Sequence, residues 1–142
     1  MKAITGLVLL CMMVSVSLPM FGDEKVPKDN LILLPVQNDP TVSFRLWFKT
    51  GSQNDPAGKE GLAAITAEML TDASTQKNSY EQVLDKLFPL ASGYSASSSV
   101  EMTVVTGRTH KDNLNEYYPL LTDALLKPAF KQEDLDRIKS QV

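Results

Sequence analysis

Catalysis needs electron-pair donors held at converging positions, and this chain of 142 residues has one histidine, His110, and one cysteine, Cys11. The stretch GSQNDPAGKEGLAAITAEMLTDAST, Gly51 to Thr75, is where a site would be sought. Its turn residues make 52–59 a tight loop. The loop delivers the chain into a helix, yet the stretch contains neither histidine nor cysteine. Glu68 offers oxygen, but zinc takes three or four protein ligands. His110 falls between a strand and a helix and reads as a surface turn residue.

Hydrophobic residues make up 43% and charged residues 22% of the chain, the balance of a globular protein. The net charge of -3, with no Lys/Arg cluster, argues against nucleic acid, whose phosphates demand a basic surface. The N-terminus has Lys2, an apolar run from about Ile4 to Val16, then Pro19 and the small Gly22. That is the order of a secretory signal peptide, so 1–22 is expected to be cleaved, leaving 23–142. The run is too short for a firm membrane span; an uncleaved anchor is the alternative. Acylation at Cys11 would need a small residue before it, and Leu10 is large. A secreted or periplasmic chain follows, with no cysteine and no thiolate site.

The elements around the loop can be read from periodicity. LILLPVQN, 31–38, reads as an edge strand or one ending early at Pro35. In TVSFRLWFKT, Val42, Phe44, Leu46 and Phe48 alternate with Ser43, Arg45, Trp47 and Lys49, as in a half-buried strand whose other face Trp47 implies is partly covered. From Leu62 the period becomes helical, with Ile65, Thr66, Met69, Leu70 and Ala73 on one face. Ser79 and Gln82 form a capping box before the next helix. Residues 91–109 read as two extended segments, the second alternating Val100, Met102 and Val104 inward. Asp112 and Asn113 are capping candidates for a helix through Leu125 that contains Pro119. A last helix carries Leu135, Ile138 and Val142 on one face and ends mid-pattern, as a truncated product or fragment would. The order β-β-α-α-β-β-α-α implies an α+β fold: an antiparallel or mixed sheet of about four strands with helices on one face.

A strand ending in Gly-Ser, then DPAGKEGLA, then a helix with EML, resembles the pitrilysin/insulinase metallopeptidases. ASGYSASSSVEMTVV is similar to that family's edge-strand segment. KDNLNEYYPLLTDALLKPAFKQEDLDRIK resembles its long helix, Pro-x-Phe turn and following helix, so the likeness covers about 30–142. The family's helix carries an inverted zinc motif, H-x-x-E-H. Laid on that pattern, the first zinc histidine falls at Ala64, the general base at Ala67 and the second histidine at Glu68. Two imidazoles four residues apart share a helical face and converge on one ion, but alanine has no lone pair to give. The family's third ligand, a glutamate, would fall about where the chain stops. No metal site and no cofactor are expected, although the family uses zinc.

The resemblance implies an inactive homologue, a scaffold or peptide clamp beside a zinc-bearing homologous subunit. The family's edge strand pairs with extended peptide through main-chain groups, which loss of zinc leaves intact. Ser95, Ala96 and Ser97 are the candidate substrate-binding residues, Ser95 standing where the family has Asn. Two alternatives stay open: the first part of a longer active metallopeptidase, and a secreted binding or structural domain. Other residues have plainer readings: Glu68 as an exposed carboxylate near Lys59 or another cation, Ala64 and Ala67 as small residues letting the helix approach the sheet. Trp47, Tyr117 and Tyr118 read as packing, and Met69 as core.

Overall fold

The computed structural model describes residues 30–141. The signal sequence expected at 1–22, Cys11 within it, residues 23–29 and Val142 lie outside the described residues. The chain divides into two units, Met1–Pro35 and Val36–Val142. In the first, residues 31–35 form neither strand nor helix, and Leu31 to Leu34 are exposed. The edge strand expected at 31–38 is therefore not formed. Pro35 removes a ladder donor, and Asn38 turns the chain at φ 62°.

The second unit is α+β, with three strands among the described residues rather than about four. β1 is Thr41–Phe48, β2 Gly93–Ser98 and β3 Thr103–His110. β3 lies in the middle, antiparallel to both neighbours. Among the described residues are four helices: α1 Leu62–Thr71, α2 Tyr80–Leu87 and α3 Leu114–Leu126 lie on one face of the sheet, and α4 Gln132–Gln141 packs on α1. The alternation read in β1 holds. Phe44 and Leu46 pack on the core while Ser43, Arg45 and Trp47 face away.

β3 corrects the expected alternation. It begins at Thr103, and Thr103, Val105, Gly107 and Thr109 point inward, the opposite parity. Val100 and Met102 belong to the hairpin loop and are exposed. The reason is Tyr117 of α3. Its fully buried ring lies over Gly107, where any Cβ would collide with the phenol oxygen. Phe44 stacks on the ring at 6.2 Å and Tyr94 meets it edge-on at 6.4 Å. The Tyr117 hydroxyl donates to the Gly93 carbonyl at 2.9 Å, tying α3 to β2. An inward strand face that must admit a tyrosine takes small residues, so its own hydrophobicity is weak. Tyr118, one residue on, is exposed.

The capping box is present: the Gln82 amide donates to Ser79 Oγ, and the Ser79 amide to Gln82 Oε1. Of the capping candidates Asp112 and Asn113, Asn113 is the N-cap residue of α3, but its side chain caps no helix amide. Asn113 instead donates its side-chain amide to the Leu90 carbonyl, joining α3 to the turn that precedes β2. A second small core holds Met69, Ala73 and Ile138, with Ile65 and Leu135 against it, and fastens α1 to α4. No helix among the described residues is long and apolar enough to cross a membrane.

Candidate functional site

α1 is positioned at both ends by polar contacts that sequence spacing hides. Its N-cap, Gly61, sits at φ 92°, a left-handed conformation that disfavours side chains. Glycine has no capping side chain, so the cap comes from six residues upstream. Asp55 accepts the Gly61 amide at 2.7 Å on one carboxylate oxygen and the Ala63 amide at 2.8 Å on the other. A carboxylate there satisfies two orphan donors and opposes the positive helix end. The preceding loop is held to the β2–β3 hairpin: Ser52 and Gln53 donate to the Ser99 and Val100 carbonyls, each at 3.0 Å.

At the other end, Asp72 accepts from Arg137, and Asp134 forms an ion pair with it. The Arg137–Asp72 contact is 3.1 Å, the Arg137–Asp134 contact 3.8 Å, and the guanidinium also reaches the Asp72 carbonyl. The guanidinium lies over the Tyr80 ring, 3.8 Å from its centroid. Buried Asp134 also accepts the Ser74 amide at 3.0 Å. Desolvation and the bond toward Asp72 act on the Tyr80 phenol together, and its pKa is raised. α4 thus grips the turn between α1 and α2 through Asp134 and Arg137.

Between these anchors α1 presents positions 64, 67 and 68. Ala64 is exposed, Ala67 is 2% exposed and Glu68 is half-buried. The small side chain at Ala67 does lie inside, while Ala64 separates nothing. Glu68 is neither fully exposed nor, among the described residues, in an ion pair; the Lys59 contact is not formed. Ala67 lines a cavity of about 280 Å³, with Leu62, Thr66 and Leu70 from α1 and Phe48 and Thr103 from the strands. Its walls are mainly apolar and suit a hydrocarbon side chain better than an ion.

These residues do not fit zinc. Two of three motif positions are alanine, and no cluster of three His, Cys, Asp or Glu that could hold a metal occurs among the described residues. His110 ends β3, where its Nδ1 accepts the Asp112 amide at 3.2 Å, the surface-turn role read from sequence.

α1 packs along β2, the strand holding Ser95, Ala96 and Ser97. They pair with Thr106, Val105 and Val104 of β3. Ser95 and Ser97 are exposed on the face away from the helices, and Ser95 Oγ lies 3.2 Å from Thr106 Oγ1. Ala96 points into the core. The other edge of β2 has no strand partner among the described residues. Sequence reasoning missed Asp55, Asp134 and Arg137. The only available signals were an Asp-Pro before the helix and an Asp-x-x-Arg spacing in α4.

The family model described as Insulinase (Peptidase family M16) matches residues 31–142. Among solved structures, the chain is similar to an inactive domain of an M16 peptidase from Pseudomonas fluorescens, at 25% identity and TM-score 0.65. That match covers 72% of this chain and 25% of the other. It also shares its fold with a protease from Helicobacter pylori, at 19% identity and TM-score 0.65, covering 76% of this chain and 27% of that one. The chain therefore spans about a quarter of each. No curated protein matches. The match over 31–142, with the helix-on-sheet frame around positions 64–68, places the chain in the insulinase family, M16, of peptidases.

Proposed function

We propose that this chain is a non-catalytic insulinase-family homologue that serves as scaffold or peptide clamp beside a zinc-bearing subunit, exported by its first 22 residues to the periplasm or beyond. The observation that carries the reading is α1 itself: a family helix with Ala64 and Ala67 at donor positions, and an apolar cavity at Ala67. The P. fluorescens neighbour is described as an inactive domain, which agrees with it. The edge of β2 that has no strand partner among the described residues, at Ser95, Ala96 and Ser97, would take an extended peptide by strand addition, which needs main-chain groups and no metal.

The test is elemental analysis and peptide turnover. The purified chain should carry zinc at background level near neutral pH and cleave no peptide. It should retain a zinc-bearing homologue when used as bait. Stoichiometric zinc with chelator-sensitive cleavage would overturn the non-catalytic reading. Bait that returns no such homologue would favour a plain binding or structural domain.

A second reading rests on coverage. Because the chain spans about a quarter of its solved neighbours, it also fits the first part of a longer metallopeptidase whose H-x-x-E-H lies elsewhere. Reading the gene past the codon for Val142 discriminates the two.

A further inference from the structure

The sheet's second face carries a charge pattern that the strand-edge reading does not use. No residue of β1, β2 or β3 is acidic, although the chain has 17 Asp and Glu against 14 Lys and Arg. The two arginines of the sheet, Arg45 and Arg108, both lie on the face turned from the helices. Arg45 is opposite Thr106 and Arg108 opposite Ser43, so the guanidiniums spring from diagonal positions on adjacent strands. Around them is an open depression of about 500 Å³ with Ser43, Ser95 and Thr106 as further polar lining. Trp47 is next along β1 on this face and is 57% exposed.

Neither arginine has an ion-pair partner among the described residues. Arg108 Nε donates to Thr41 Oγ1 at 3.3 Å. Asp39, near this end of the sheet, accepts both the Thr41 amide and hydroxyl on one oxygen.

We propose that this face docks an acidic polypeptide segment, with carboxylates on Arg45 and Arg108 and an apolar side chain on Trp47. Guanidinium forks match carboxylates in geometry and charge. An exposed indole adds apolar area with little ordering cost. The basic face in a chain of net charge -3 selects acidic ligands by complementarity. A lone phosphate or sulfate is a poorer occupant, because the sheet amides are committed to the ladder and build no cradle. A nucleic acid would need a longer track of cations. The site uses side chains of the sheet face, sharing only Ser95 with the clamp, and not the main-chain groups of the outer edge of β2, so it stands or falls apart from the peptide-clamp reading.

Trp47 is the only tryptophan and so reports on the site directly. The chain is titrated with a tryptophan-free peptide of alternating Glu and Phe, with the same peptide carrying Gln for Glu, and with oligothymidylate. The Glu peptide should shift Trp47 emission saturably and release as salt rises; the Gln peptide should not. The pair Arg45→Glu and Arg108→Glu should weaken binding by about ten-fold or more with circular dichroism unchanged. The milder pair Arg45→Gln and Arg108→Gln reads the same loss if charge reversal disturbs folding. Absence of a shift with the Glu peptide, an equal shift with the Gln peptide, or undiminished binding by the Gln pair would overturn the proposal. So would oligothymidylate binding as tightly as the Glu peptide, which would identify a phosphate-backbone site.

Discussion

At position 107 the absence of a side chain admits one particular ring. Tyr117 is fully buried against Gly107, and its hydroxyl is satisfied by the Gly93 carbonyl. Gly107→Ala should therefore destabilise by about 1–3 kcal/mol through overpacking. Tyr117→Phe should cost about 1 kcal/mol for the lost hydrogen bond. The two effects share one atom, so the double variant should fall short of their sum, and urea midpoints of the four proteins measure that coupling. Additive losses would mean that the ring and the glycine do not meet. The same ring sets an alkaline limit. Burial raises both the Tyr117 and Tyr94 phenols to about 12. The folded chain thus keeps these protons through a range in which an unfolded tyrosine, near 10, releases them. Their contribution is whole below pH about 10 and is lost as pH climbs toward 12. Unfolding followed by tyrosinate absorbance should show stability declining across that window, and less steeply in Tyr117→Phe.

Among the elements, α1 tests how a helix without its own cap is started. Asp55→Ala removes the acceptor for the Gly61 and Ala63 amides and should cost about 1–2 kcal/mol, as loss of a strong N-cap does. Hydrogen exchange at Ala63 should accelerate, and an unchanged rate would show that the cap is dispensable. The contrast with α2 shows what a sequence reveals. Ser79 and Gln82 cap each other within one turn, so three residues of spacing suffice to see the pair. Asp55 acts across a loop whose shape depends on the left-handed Gly61, and local spacing carries no trace of it. β1 was legible because its inward side chains are large. β3 was misread by one residue because the face that admits Tyr117 holds threonine, glycine and one buried valine, while Val100 and Met102 lie in the hairpin loop. A one-residue slip exchanges every side chain between faces, so weak inward hydrophobicity is enough to reverse the reading. The missing donors at positions 64 and 67 were legible in full, since no fold supplies a lone pair to alanine.

For the whole molecule, the question is whether the helix-on-sheet frame still waits for its metal or has closed over the gap. Position 67 is 2% exposed and lines a mainly apolar cavity with Phe48, Leu62 and Leu70. Rebuilding the motif as Ala64→His, Ala67→Glu and Glu68→His would place a carboxylate there without an assigned cationic partner. An uncompensated buried charge costs several kcal/mol unless the group protonates or a metal arrives to neutralise it. Two imidazoles with no third ligand among the described residues bind zinc too weakly for that rescue, since catalytic zinc sites rest on three. The triple variant should therefore unfold at lower urea than the parent, with Ala67→Glu alone accounting for most of the loss. Added zinc should restore little of it, because a ligand stabilises only to the extent that it binds the folded form. Cleavage of unstructured peptides should stay at background. If zinc instead lifted the midpoint back to the parental value and peptide hydrolysis appeared with it, the frame would still be a competent metal site in every respect but three side chains, and the apolar cavity at Ala67 would be no more than the space those side chains left.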